Sequence, residues 1–462
     1  MNRYEEYKKV NLIWLKEIPS HWEIIPISHV FEERRERNNN GNNQFILSVM
    51  KNIGVIPYTD KGNVGNKVSE NIENYKVVYP NDLVLNSMNM MIGSLGKSNY
   101  KGVLSQVYYV LKLMNSSKYN IDYLNYLFKN KVFHESFRVL GKGILDHRLR
   151  VPIQLLKYEK ILIPPINEQE QIANYLDWKI NEIDRLIKIE KEKIKELKTL
   201  MFNVIAEFVL RGIDTQNYKK SKIKWIDDIP SHWNEVSIRG SVNIIRGNSS
   251  FTKDDLKNKG KYVGLQYGKV YKTEIIDSEF HFYVSDKFYK TSQAVNKNDI
   301  IIVSTSETVE DLGHTSFYNR DDIGLIGGEQ ILLKPLNNIN SKYLFYLSKI
   351  FRTQLQPCAT GIKVYRFKIS DLKQIYIPLP PIKEQEKIVL NIEYKLKLLD
   401  ERVKNNYDLI KELELLKQSL ISEVVTGKID VRNVVIPEYE KVTILYDEAE
   451  EFDEMEGIED GN

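Results

Sequence analysis

The chain has 462 residues, 42% of them hydrophobic and 28% charged, with a mildly negative mean hydropathy of -0.40. That composition excludes a collagenous, coiled-coil-only or fully disordered protein, and the length predicts two to four domains with cores of their own. One cysteine, Cys358, excludes an intrachain disulfide, and the seven histidines are scattered without metal-ligand spacing.

The formal charge of +3 is unevenly spread. From Pro437 onward there are eleven acidic side chains and one lysine, Lys441, so the rest of the chain carries 65 basic against 52 acidic groups. A basic body with an acidic tail suits a chain that meets a polyanion. No apolar run reaches the roughly 20 residues that cross a bilayer, and the charges of MNRYEEYKKVNLIW do not suit a signal peptide, so a cytoplasmic location without membrane contact is expected.

In chain order, the first distinctive segment is Ile18-Pro19-Ser20-His21-Trp22, which returns 211 positions later as Ile229-Pro230-Ser231-His232-Trp233. A repeated scaffold repeats its packing residues, so the two His-Trp pairs read as aromatic staples. Residues 24–163 then read as a mixed α and β block. β-rich runs at 76–79, 83–85 and 107–111 are punctuated by Gly, Asn and Asp, a helical stretch covers 122–140, and NNNGNN at 38–43 reads as a polar surface turn.

Pro164-Pro165-Ile166-Asn167-Glu168-Gln169 opens a helical block and matches Pro380-Pro381-Ile382-Lys383-Glu384-Gln385 at an offset of 216, which holds to Ile213-Asp214 against Ile429-Asp430. In the first block Leu176, Ile180, Ile183, Ile187, Ile194, Leu197, Met201, Val204 and Phe208 recur at spacings of three and four, with Glu190 as the polar interruption. In the second, Ile392, Leu396, Leu399, Val403, Ile410, Leu413, Leu420 and Val424 keep the rhythm, with Asn406 and Lys417 as interruptions. Glu190 and Asn406 fall at equivalent places, either as flaws in amphipathic helices or as register-fixing polar residues of a helical pair. Asn167 with Glu170 is expected to form a capping box, and Gly212 and Gly427 to close the helices in left-handed caps. Between the helices, residues 235–377 repeat the mixed pattern, with a β-rich run at 300–303 and a helical stretch at 341–355. The organisation expected is 1–163, a helix over 164–214, 215–379, a helix over 380–436, and an acidic tail from 437 to 462.

Catalytic signatures are absent from the sequence. It has no GxxxxGK[ST] loop, no GxGxxG between strand and helix, no HExxH, no GxSxG, and no Asn/Asp-Pro-Pro-Tyr/Phe motif of the kind that grips a flipped base. The acidic pairs Asp254-Asp255 and Asp321-Asp322 lack nuclease spacing and read as solvated loops. Cys358 reads as an inert thiol.

IPSHW opening each unit, a variable block, then IPLPPIKEQEKI and a long helix closing with ISEVVTGKIDVR, all in two copies, resembles the specificity subunit of a type I restriction-modification system over about residues 12–436. The resemblance implies an α+β fold: two mixed α/β target recognition domains joined by two long helices that pair as an antiparallel coiled coil, with an internal pseudo-two-fold repeat. It implies a DNA-reading adaptor, each variable block reading one half of an asymmetric site. The partners implied are double-stranded DNA, two methyltransferase subunits and two restriction/translocase subunits. No cofactor is expected on this chain, and S-adenosylmethionine, ATP and magnesium are expected on the partner subunits. A self-contained methyltransferase or nuclease with a degenerate site, and a helical protein-binding scaffold, stay open as alternatives.

Phosphates attract Lys, Arg and small polar groups, whereas base edges attract Arg or Lys to guanine and Asn or Gln to adenine. The candidates in the first block are Lys51, Asn52, Lys61, Asn63, Lys67, Asn86, Ser87, Lys97, Lys101, Lys142, His147, Arg148 and Arg150. In the second they are Arg246, Asn248, Lys253, Gln266, Tyr267, Lys269, Ser304, Thr305, Lys363, Tyr365 and Arg366. Lys142-Gly143 and Thr360-Gly361 stand at similar distances ahead of their helices, which singles out that segment.

Overall fold

The computed structural model describes residues 2–61, 68, 71–142, 149–213 and 216–442. They form two compact units, one made of the chain up to Glu192 with the chain from Asn406 onward, the other of Lys193–Asn405. Each long helix, Ile166–Arg211 in the centre of the chain and Ile382–Val425 toward its end, therefore contributes one half to each unit.

In the first unit, uninterrupted apolar runs become strands buried on both faces. Leu83, Val84 and Leu85 are fully buried in a sheet ordered Phe31–Glu33, Tyr108–Leu113, Leu83–Asn86, Leu95–Lys97, all antiparallel. The second unit repeats this order with Val242–Arg246, Gln330–Pro335, Ile300–Val303 and Thr315–Tyr318, and adds Ile275–Ile276 in parallel at the edge. The registers correspond as well: Leu111 lies opposite Leu83 and Glu33, and Leu333 lies opposite Ile300 and Ile244.

The helical halves pack within each unit. In the first, Leu176, Ile180, Ile183, Ile187, Ile410, Leu420 and Val424 are buried, and Lys417 Nζ lies 2.6 Å from Asp184 Oδ1. Gln171, 13 residues before Asp184, donates to the carbonyls of Val431 and Val434, beyond Lys417, so the two segments run antiparallel. Glu190 is buried at 8% exposure, while Asn406 and Leu413, and Val403 of the second unit, are half-buried. In the second unit Val204, Phe208, Ile392 and Leu399 share one core with Leu197, Met201 and Leu396 packed against it, and Ile194 is also buried. Lys395 Nζ stands 4.6 Å from the Phe208 ring centroid.

Several local expectations change. The stretch 122–140 is not one helix: Ile121–Lys129 stops at Asn130, held extended with ψ 118°, and Lys131–Ser136 restarts because the Asn130 side chain accepts from Val132 N. The later stretch is α-helical only over Ser341–Phe351 and tightens to a 3-10 turn at Arg352–Gln354. Asn38, placed in a surface turn, is 4% exposed, and its amide donates to Asn43 O and Ile72 O. Asn167 lies inside the first helical turn instead of at the cap, because the Pro165 carbonyl already accepts from Glu168 N and Gln169 N. Gly212 and Gly427 do adopt the left-handed conformation, with φ of 73° and 72°.

Candidate nucleic-acid interface

The repeated Glu-Gln of the two helix starts builds the frame on which the variable surfaces sit. Glu168, 6% exposed, accepts from Tyr4 OH at 2.6 Å, His21 Nε2 at 2.7 Å and Trp22 Nε1 at 2.9 Å. Burial, with the Glu168 carboxylate beside it, pushes the Tyr4 phenol pKa up. In the second unit Glu384 accepts from His232 Nε2 at 2.7 Å and Trp233 Nε1 at 3.0 Å. Each His-Trp pair is thus a staple whose polar edge is tied to a helix start, a partner that apolar patterning does not reveal. Gln169 accepts from Asn120 N and donates to Pro164 O; Gln385 accepts from Asn340 N and donates to Pro380 O. Asn120 and Asn340 in turn cap the helices Ile121–Lys129 and Ser341–Phe351.

A second repeated feature lies at the end of each sheet. Lys142 and Arg150 exchange both main-chain hydrogen bonds, and Thr360 and Arg366 do the same. The following residue docks on the serine that ends the central strand: Val151 N donates to Ser87 O, and Phe367 N donates to Ser304 O. Ser87 N donates to Val107 O, and Ser304 N to Glu329 O. The register also places Arg246 opposite Ile331, two residues beyond the Ile244–Leu333 pair, and two residues beyond the equivalent Glu33–Leu111 pair the chain reaches Arg35. Two corresponding surfaces result. The first carries Arg35, Val107 and Arg150, with Lys76 half-buried among them; the second carries Arg246, Glu329 and Arg366, with Gln293 buried beneath them.

Their electrostatics differ. In the first, burial pushes the Lys76 pKa down, the Glu33 carboxylate opposes this, and Arg150 and Arg35 add to it. Arg35 Nε reaches Glu33 at 3.2 Å with its side chain 75% exposed. In the second, Arg366 Nη2 lies 3.5 Å from Glu329 Oε1. Gln293, 1% exposed, accepts from Asn248 N and donates to Arg246 O. Burial pushes the Tyr267 phenol up, and the Glu307, Glu329 and Asp311 carboxylates push it further.

The sequence candidates fall into four groups. Lys142, Arg150, Arg246, Asn248, Tyr365 and Arg366 belong to these surfaces, with Ser304 half-buried beneath one of them. Lys51, Asn52, Lys101, Lys253 and Lys363 are exposed elsewhere; Gln266, Tyr267 and Lys269 are half-buried, with Lys269 Nζ 4.4 Å from the Phe282 ring centroid. Half-buried Asn86 accepts from Met88 N and Asn89 N to shape its own turn. A third group is not presented to a groove: Ser87 and Thr305 are 0% and 4% exposed, Lys61 is 9% exposed with its pKa lowered by burial, and Lys97 is ion-paired with Asp122. Thr305 and Lys97 lie in strands, Lys61 ends a 3-10 turn, and Ser87 follows the central strand directly. Asn63, Lys67, His147 and Arg148 lie outside the described residues.

Arg35, Lys76 and Glu329, which stand beside these candidates, are not singled out by the sequence. Arg35 follows from Arg246 by the same 211-residue offset as the IPSHW repeat, which was the available signal. Among the described residues no cluster of three or more His, Cys, Asp or Glu is placed to hold a metal ion, and no helix is long and apolar enough to cross a membrane. Cys358 is exposed, and the slight desolvation of its sulfur, with the Asp371 carboxylate nearby, pushes the thiol pKa up.

Comparison with known proteins agrees with this duplicated layout. The family profile described as type I restriction modification DNA specificity domain matches residues 19–199 and again 230–414. The type I restriction enzyme MjaVIII specificity subunit of Methanocaldococcus jannaschii is 25% identical over 443 residues, covering 90% of this chain and 95% of the relative. The type I restriction enzyme EcoBI specificity subunit of Escherichia coli is 23% identical over 405 residues, covering 80% and 78%. A chain from a solved structure concerned with complex assembly and conformational transition of the type I R-M system shares the fold, with a TM-score of 0.63 at 15% identity, over 89% of this chain and 99% of that one. Matched by the family profile in both halves and along most of its length by named specificity subunits, the chain belongs to the type I restriction-modification DNA specificity family.

Proposed function

We propose that this specificity subunit reads a bipartite, asymmetric duplex site, each variable block taking one half, without carrying out chemistry itself. One observation supports this above others: the frame residues Glu168 and Gln169 recur as Glu384 and Gln385, while the surfaces mounted on them differ, Val107 beside Ser87 against the exposed Glu329 beside Ser304. Similar frames with unlike readers suit unlike half-sites. The paired helices set the gap between half-sites and offer two similar docking surfaces to two methyltransferase subunits, which in turn carry two restriction/translocase subunits. S-adenosylmethionine, ATP and magnesium act on those partners.

The test is an exchange of residues 24–163 for the corresponding block of a relative, followed by methylome sequencing of cells expressing the complete system. One half of the methylated sequence changes and the other stays. A change in both halves rejects the two-reader arrangement, and methylation or cleavage of DNA by the purified chain alone rejects the adaptor role.

A further inference from the structure

We propose that Glu329 is a base-reading residue of the second block: it accepts a hydrogen bond from cytosine N4 while Arg366 forks onto O6 and N7 of the paired guanine. This rests on the reading of that surface as the DNA face.

Glu329 is held more firmly than a surface loop residue. Its carbonyl accepts from both Ser304 N at 3.0 Å and Ser304 Oγ at 2.9 Å. The turn before it is fixed by Gly327 N donating to Gln330 Oε1 at 2.8 Å, and by Gly247, where an added Cβ would stand 1.8 Å from Gly327 O. Arg366 is fixed by its two main-chain bonds to Thr360. The side chains nonetheless remain open, 47% and 61% exposed.

Stability does not explain the carboxylate. An exposed ion pair at 3.5 Å contributes little to folding, and Val107 serves the equivalent position of the first unit. On a surface meeting phosphates a carboxylate is repelled, unless it faces a hydrogen-bond donor. In the major groove the cytosine N4 amino group is that donor for Glu, and it lies beside the O6 and N7 acceptors of its guanine. A carboxylate next to a guanidinium presents the complementary order, acceptor beside donors. Val107 next to Arg150 does not, so the first surface lacks this preference.

The experiment uses the full chain assembled with methyltransferase subunits, and a pool of duplexes randomised through both half-sites, with bound duplexes sequenced. The wild-type complex selects a C·G pair at one position of the second half-site. Glu329→Gln, which preserves size, and Glu329→Val, which copies the first unit, each reduce that preference roughly ten- to a hundred-fold and leave the first half-site unchanged. Arg366→Ala relaxes the same position. If Arg366→Ala relaxes a position and both Glu329 variants retain every preference, Glu329 is not a reader although the surface is. If Glu329→Val raises affinity for all duplexes alike, the carboxylate merely repels phosphate and the proposal falls. If none of the three variants alters any position, the DNA-face reading falls with it.

Discussion

Lys417 Nζ lies 2.6 Å from Asp184 Oδ1, joining the end of one long helix to the beginning of the other across 233 residues of sequence. The side chains are 23% and 14% exposed, so the pair is screened only partly by water. Removing one partner strands the other in the helical seam. Lys417→Ala and Asp184→Ala are each expected to destabilise the first unit by about 1–3 kcal/mol in urea unfolding. The double change to leucine recovers most of that loss, since two apolar side chains fill the seam without desolvated charge.

The same carboxylate serves a second lysine. Lys129 Nζ donates to Ile53 O at 3.2 Å, and burial pushes its pKa down to about 8; Lys417 and Lys97 add to the depression, and Asp184 and Asp177 oppose it. The folded state therefore releases this proton near pH 8, while the unfolded chain holds it to about 10.4. Between those values the unfolded state binds more protons, so stability rises with pH; below about 8 the cost of the buried charge is fully present. Lys129→Met removes that cost. The variant is expected to unfold at higher urea than wild type at pH 7, and the difference to shrink as the pH passes from about 8 to about 10.

The two carboxylates that hold the His-Trp staples are equivalent in sequence but not in burial. Glu168 is 6% exposed and takes three donors, of which Trp22 is fully buried. Glu384 has a side chain 19% exposed and takes two donors: Trp233, as fully buried as Trp22, and His232, which is 49% exposed. An unsatisfied buried donor costs more than one that water can reach. Glu168→Ala is expected to cost about 3 kcal/mol and Glu384→Ala about 1 kcal/mol, each read from urea unfolding followed by tryptophan fluorescence.

These contrasts mark where sequence and structure part company. The seam residues Ile180, Ile183, Ile392 and Leu399 were legible because helical periodicity is a local property. Lys417 looked like a flaw because its partner lies on the other helix. Gln169 and Gln385 gave no signal, since each binds main-chain groups of Asn120 or Asn340 and a proline. Ser87 and Thr305 read as surface residues in the sequence because small polar side chains carry no burial signature. Glu329 was hidden for two reasons. The offset between units grows from 217 at Ser87–Ser304 to 222 at Val107–Glu329, and an acidic side chain is not sought on a surface expected to be basic.

Gly427 closes the C-terminal helix and presses on the first staple. Its φ is 72°, and a Cβ there would stand 2.5 Å from both Pro19 Cγ and Pro19 Cδ and 3.1 Å from Trp22 Cη2. Its carbonyl accepts from Tyr7 OH at 2.9 Å, so the segment cannot withdraw without breaking that bond. Left-handed strain of about 1 kcal/mol therefore adds to a clash with a rigid ring, which costs a further 1–3 kcal/mol. Gly427→Ala is expected to destabilise the first unit by about 2–4 kcal/mol in urea unfolding. Gly240→Ala is the control that lacks both the left-handed backbone and the contact: it sits in a 3-10 turn with nothing within 4 Å of the added carbon, and its unfolding midpoint should stay at the wild-type value. Equal losses from both substitutions would mean that the chain's general response to a lost glycine, and neither the left-handed backbone nor the contact with Pro19, sets the effect.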